Sequence, residues 1–135
     1  MVDVRITDKF SGDMLVRIAG FYTAAGWIKA GDDISFLEPA LKGSALVACA
    51  FDNGVVVGCA RALSDGCSDA YIQDVVVSPE YRGQGIGRRL IGELVCHLRQ
   101  RGVDWIALIG EPGTEEFYRK LGWQEKTGFT MWQFE

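Results

Sequence analysis

Val75-Val76-Val77-Ser78-Pro79-Glu80-Tyr81-Arg82-Gly83-Gln84-Gly85-Ile86-Gly87 is the centre of a longer stretch, Tyr71–Leu98, on which the fold turns. Tyr71 to Val77 is rich in β-branched and aromatic residues, which suit a buried strand. Pro79 has no N–H to give to a ladder and ends that strand. Beyond the glycines, apolar residues recur at Leu90, Ile91, Leu94, Val95 and Leu98, and their spacings of three and four lay one stripe along a helix. Gly83, Gly85 and Gly87 therefore stand where a helix begins. A helix start has unpaired N–H groups and the positive end of the macrodipole, and glycines let a ligand approach that backbone closely. The physical reading is an anion site, most simply for a phosphate or pyrophosphate. Arg82, Arg88 and Arg89 add positive charge that a purely structural turn does not need.

A P-loop needs Gly-Lys-Ser/Thr at its end, and Gly87-Arg88-Arg89 does not supply it. A dinucleotide fingerprint, G-x-G-x-x-G, needs a small residue at Arg88 or at Leu90, so it fails in both registers. What remains is Arg82-x-x-Gly85-x-Gly87 after a strand and before an amphipathic helix. This resembles the acetyl-coenzyme A loop of the GNAT N-acetyltransferases, and Phe117-Tyr118-Arg119-Lys120-Leu121-Gly122-Trp123 resembles that family's second signature, with Trp123 where phenylalanine is more usual. The resemblance covers nearly the whole chain and identifies it as a small, single-domain member, residues 1–135. It implies an α/β (α+β) fold: a mixed, mostly antiparallel sheet of six to seven strands, about four helices, and a central parallel pair of strands that splay apart.

The composition agrees with a globular protein. The chain has 135 residues, 48% hydrophobic and 24% charged, which argues against disorder. The net charge of −4 comes with no basic face, so no nucleic-acid partner is expected. The first residues have neither the basic start nor the apolar core of a signal peptide, and no run approaches a membrane span. Cys49, Cys59, Cys67 and Cys96 are scattered, and three of them fall in apolar runs or beside the helix stripe, which predicts buried free thiols. With His97 as the one histidine, no metal site and no Ser-His-Asp triad is expected. The expected setting is cytoplasmic, with reduced cysteines; a homodimer is left open.

In chain order, Val2–Ile6 alternates and reads as an edge strand. Thr7 or Ser11 caps a helix whose stripe is Met14, Leu15, Ile18, Ala19, Phe21 and Tyr22. Trp27 follows in a loop, and a second short helix spans about Asp33–Leu41. Ala45–Phe51 and Val55–Leu63 are strands joined at Asp52-Asn53-Gly54, a strong hairpin signal. Ser64–Ser68 is a turn into Ala70–Val77. Gly102 ends the long helix, and Trp105–Ile109 is a strand parallel to the one before that helix, because a right-handed crossover connects them. A last helix, Pro112–Leu121, stops at Gly122, and Trp123–Glu125 with Phe129–Phe134 close the chain as a hairpin.

The resemblance also implies the chemistry. Val75, Val76 and Val77 match the strand whose backbone pairs with the pantetheine arm, and an N–H near Val75 or Val76 stabilises the oxyanion. Arg82, Gly83, Gln84, Gly85, Ile86, Gly87 and Arg88 match the loop that holds the pyrophosphate of acetyl-CoA. Tyr118 matches the acid that protonates the departing thiolate. A phenol with a pKa near 10 is protonated at neutral pH and suits that role. For the base, the residues leave Asp74, Glu111 and, less directly, Glu115 or Glu116. Asp74 is conspicuous as a charge inside an apolar strand, and either a base or a structural hydrogen bond accounts for it. Gln73 can orient substrate or water. Trp27, Phe36, Tyr71 and Phe129 can line an acceptor pocket or simply cover the core. The implied function is transfer of an acetyl group from acetyl-CoA directly to a primary amine of a small molecule, since no cysteine has an activating partner. The alternatives are a peptide or protein N-acetyltransferase, and a CoA-binding sensor or regulatory module without turnover.

Overall fold

The structure is a computed structural model that describes all 135 residues. Its elements are β1 (Val2–Ile6), α1 (Gly12–Ala24), α2 (Leu37–Lys42), β2 (Leu46–Asp52), β3 (Val55–Ser64), β4 (Asp69–Val77), α3 (Ile86–Gln100), β5 (Trp105–Leu108) and α4 (Glu115–Lys120). The strands form one sheet in the order β1-β2-β3-β4-β5. The first four run antiparallel to one another, and β5 lies parallel to β4, as the crossover through α3 requires. Asn53 (φ 49°) and Gly54 (φ 79°) make the tight hairpin that Asn-Gly predicts.

The sheet has a core on each face. On one, α3 lays Ile86, Leu90, Ile91, Leu94 and Leu98 over Ala48, Ala60, Ala70 and Ile72. Burying each of those helix residues is worth about 1.5–3 kcal/mol, so the stripe fixes α3 and with it the glycine loop at its start. On the other face, Ile18, Phe21 and Tyr22 of α1 and Leu37 and Leu41 of α2 cover Val47, Cys49, Val56, Cys59 and Val76. Ser11 caps α1 by accepting from Met14 N at 3.2 Å. No helix is long and apolar enough to cross a membrane.

The structure corrects four expectations. The sheet has five strands, not six to seven, because Trp123–Glu125 and Phe129–Phe134 form no hairpin. Phe129, Trp132 and Phe134 are 85%, 90% and 100% exposed. The apolar residues of that segment fall on both parities, Phe129 and Met131 against Trp132 and Phe134, so no single register buries them on one face. Helix α2 begins at Leu37 rather than Asp33. There the Asp33 carboxylate accepts from both N and Oγ of Ser35, a local turn that competes with the helix. Helix α4 begins at Glu115 rather than Pro112, because Gly113 takes φ +90° and Thr114 N and Oγ1 both donate to the Glu111 carbonyl. Finally, Cys49 and Cys59 are buried but Cys96 is exposed, as is Cys67.

Candidate active site

The pairing of β4 with β5 ends at Ile72 and Leu108, while β4 continues for another five residues to Val77. Gln73 to Val77 therefore has no β5 partner, and a gap opens on that side of the strand. A bulge lies at the same place. Cys59 pairs with Val76 and Arg61 with Gln73, so Asp74 and Val75 together oppose Ala60. Asp74 absorbs the extra residue at φ 57°, a left-handed conformation that aspartate tolerates better than most residues. The bulge moves the side-chain alternation by one. Ala70 and Ile72 face α3, then Val75 and Val77 do, and Val76 turns to the opposite core.

Asp74 is engaged. Arg61 Nε donates to its Oδ2 at 2.8 Å, and Arg61 Nη1 reaches Ser44 Oγ at 3.4 Å. The sequence reading missed Arg61, although a lone cation in the apolar run Val55–Leu63, one hairpin away from a lone carboxylate, was a usable signal. Beneath this pair sits Tyr22, whose phenol is pushed well above its ordinary value, mainly by burial and then by the nearby Cys59 and Asp74.

The strand passes directly into the glycine loop. Ser78 N donates to Val57 O at 2.8 Å, and one turn of 3-10 helix, Pro79–Tyr81, follows. Tyr81 Oη donates to Asp52 Oδ2 at 2.5 Å and pins this turn to β2. Arg82 folds back, its Nε 3.3 Å from Val77 O. Gly83 and Gly85 have φ of 77° and 78°, which glycine adopts without penalty. Gly85 is the cap of α3, and the first bond of the helix is Arg89 N to Gly85 O. The amides of Ile86, Gly87 and Arg88 precede it and have no partner within the helix. Gly87 is glycine for a different reason: a Cβ there would meet the Phe117 ring at 3.3 Å. Thus α4 packs directly on the start of α3.

Helix α4 lays Tyr118 against Gly110, just past the end of β5. Its ring packs edge-on against Phe117 at 5.0 Å and Trp123 at 6.3 Å, and Trp123 N donates to Tyr118 O. Gly110 makes room for it, since a Cβ there would lie 3.3 Å from the Tyr118 ring. Composition gave no hint of that role for Gly110. Burial, and then the charge of Glu111, raise the Tyr118 phenol above its ordinary value. Glu111 in turn accepts a 2.7 Å hydrogen bond from Trp27 Nε1, across 84 residues of chain. Trp27 is itself fixed by its backbone N–H to Tyr22 O and by ring contact with Tyr22 at 5.2 Å.

The other predicted pocket residues divide. Gln73 is exposed at the first position beyond the β5 pairing. Tyr71 lies on the paired side, edge-on to Trp105 at 5.5 Å. Phe36 is partly exposed at the start of α2. Phe129 lies outside any strand and almost wholly in the open, so it forms no wall of a pocket.

The sequence profile described as the Acetyltransferase (GNAT) family matches residues 13–123. A protein of Pyropia yezoensis described as an uncharacterized N-acetyltransferase is 37% identical over 103 residues, which are 73% of this chain and 58% of that protein. Serotonin N-acetyltransferase 2, chloroplastic, of Oryza sativa subsp. japonica is 48% identical over 69 residues, 51% of this chain and 34% of that protein. The chain thus spans under two thirds of the length of these relatives. A solved GNAT family acetyltransferase of Streptococcus pneumoniae superposes with a TM-score of 0.78 at 28% identity, over 100% of both chains.

Proposed function

Because the chain belongs to the GNAT acetyltransferase family, we propose that it moves an acetyl group from acetyl-CoA directly to a primary amine of a small molecule. The observation that carries this reading is the gap: β4 leaves β5 after Ile72 and runs on to Val77, straight into a helix start with free amides. The free edge of Val75–Val77 receives the pantetheine amides as a missing strand. The amides of Ile86, Gly87 and Arg88 receive the pyrophosphate, within the loop Arg82-Gly83-Gln84-Gly85. The residues 1–135 act as one catalytic domain, and free thiols suit the reducing cytoplasm.

The chemistry follows from these placements. The amine nitrogen attacks the thioester carbonyl carbon, and the N–H of Val75 or Val76 stabilises the oxyanion. As the C–S bond breaks, Tyr118 gives its proton to the departing sulfur. The raised pKa keeps the phenol protonated for this step. The proton shed by the amine passes to Glu111, directly or through water. Glu111 is the better base of the two carboxylates, because Asp74 is already held by Arg61. The name of the rice relative, a serotonin N-acetyltransferase, supports a small amine as acceptor.

Thermal melting with acetyl-CoA, CoA, NAD and ATP in parallel tests the donor site. A ligand at a hundredfold excess over Kd adds about 2.7 kcal/mol of stability. Acetyl-CoA and CoA raise Tm and the other two do not. Gly85→Asp removes the effect, since a Cβ there meets nothing within 4 Å while the carboxylate opposes the anion; its φ strain costs about 1–2 kcal/mol. A shift produced by NAD or ATP, or by none of the four, contradicts the proposal.

A further inference from the structure

The bond between Trp27 and Glu111 is unusual in its setting. It links the loop after α1 to the loop after β5, two segments far apart in the chain. It lies beside Tyr118, since Glu111 directly follows Gly110, where a Cβ would be 3.3 Å from the Tyr118 ring, and both of its ends reach solvent. An indole N–H is a neutral donor with one proton to give. A primary ammonium has three protons and a full charge, so it is the stronger partner for a carboxylate. No lysine or arginine pairs with Glu111, so its carboxylate has no cationic side chain as a partner.

We propose that the Trp27–Glu111 hydrogen bond is the resting occupant of the acceptor's ammonium subsite: a cationic primary amine displaces the indole N–H and takes Glu111 as its counter-ion. The inference rests on the acetyltransferase reading above and assigns Trp27 as a specificity-determining residue. The displaced indole keeps its contact with Tyr22 and offers the ring face to the carbon body of the amine, where a cation beside an aromatic face is also attracted. Neutral analogues of the same shape lack the charge needed to break the bond.

The test uses the full chain with nitrogen-15-labelled tryptophan indoles and saturating CoA, and the Trp27 signal is assigned from Trp27→Phe. Tryptamine, phenethylamine and putrescine are the cationic probes, and phenethyl alcohol is the neutral one. At least one amine moves the Trp27 indole signal saturably, the alcohol does not, and Glu111→Gln abolishes the response. In turnover, Glu111→Gln lowers kcat, as loss of the proposed base requires, and also raises the KM for that amine at least about tenfold, as loss of a charged hydrogen bond implies, while acetyl-CoA affinity stays unchanged. Glu111→Asp recovers part of the loss. Trp27→Phe, which removes the competing N–H and keeps a ring, lowers that KM. If Trp27→Phe instead raises KM as much as Glu111→Gln does, the pair is only a brace and the proposal fails. It fails equally if no amine disturbs the indole of a protein that still binds acetyl-CoA. Loss of acetyl-CoA binding in the unmodified chain removes the functional reading itself.

Discussion

Tyr118 and Tyr22 are both tyrosines whose phenols are harder to ionise than in water, yet they have different consequences. Tyr118 is half-buried just past the end of β5, and Phe in its place keeps the packing on Phe117 and Trp123 while removing the hydroxyl that we propose as the acid. General acid catalysis supplies about 10²–10⁴-fold. Tyr118→Phe therefore lowers kcat at least about tenfold in steady-state assays with little change in acetyl-CoA affinity, and the deficit shrinks as pH falls and solvent protonates the thiolate. Wild-type turnover in this variant makes Tyr118 a packing residue. Tyr22 is buried under the Arg61–Asp74 pair, and its effect is on stability. Its folded pKa lies above the unfolded value of about 10, so the unfolded chain loses the proton first as pH rises. The contribution is fully present below pH 10 and is lost above it, at a slope of about 1.4 kcal/mol per pH unit. Urea unfolding between neutral pH and about pH 11 shows this decline, and Tyr22→Phe is flatter by that slope; parallel profiles for the two proteins contradict the assignment. The placement of Tyr118 on the last helix was legible in sequence because a short motif carries it. The role of Tyr22 was not, because it depends on which side chains lie beneath a bulge.

At the scale of the element, β4 does the positioning. Its valines and the glycines after them identified strand, loop and helix in the sequence, and the parallel neighbour followed from the crossover through α3. The bulge was not legible. A left-handed aspartate inside an apolar run leaves no periodic mark, since the alternation on either side simply slips by one at Asp74. The conspicuous charge was noticed, but its partner Arg61 becomes visible only when the register of β3 against β4 is known. That pair is a brace in a half-buried setting, with side chains 18% and 31% exposed. Asp74→Asn tests it cleanly, because asparagine also tolerates the left-handed backbone. We expect a loss of about 1 kcal/mol in chemical unfolding, scaled down from a buried charged hydrogen bond for its exposure, with turnover reduced less than about threefold. A collapse of turnover at unchanged stability makes Asp74 the base instead of Glu111.

Across the whole molecule, two cores on opposite faces of one sheet hold the α3 start and the end of β4 in register, while the final segment contributes to neither. The number of strands was overestimated from sequence for that reason: Phe129–Phe134 has strand-like residues, but both of its faces are apolar and no surface in the chain meets them. The Trp27–Glu111 contact was also beyond reach, since it joins positions 84 residues apart that only the assembled sheet brings together. The assembly brings an unpaired strand edge, a helix start, and Tyr118, Glu111 and Trp27 into one chain-distant set of elements. The proposal is that an acetyl group passes here from acetyl-CoA to an amine. It is tested most directly by incubating the chain with acetyl-CoA and a library of primary amines, measuring free thiol release and acetylated amine together. The account predicts thiol and acetylated product in equal amounts with at least one amine. Saturable acetyl-CoA binding with neither thiol nor product from any amine contradicts it and leaves a binding module.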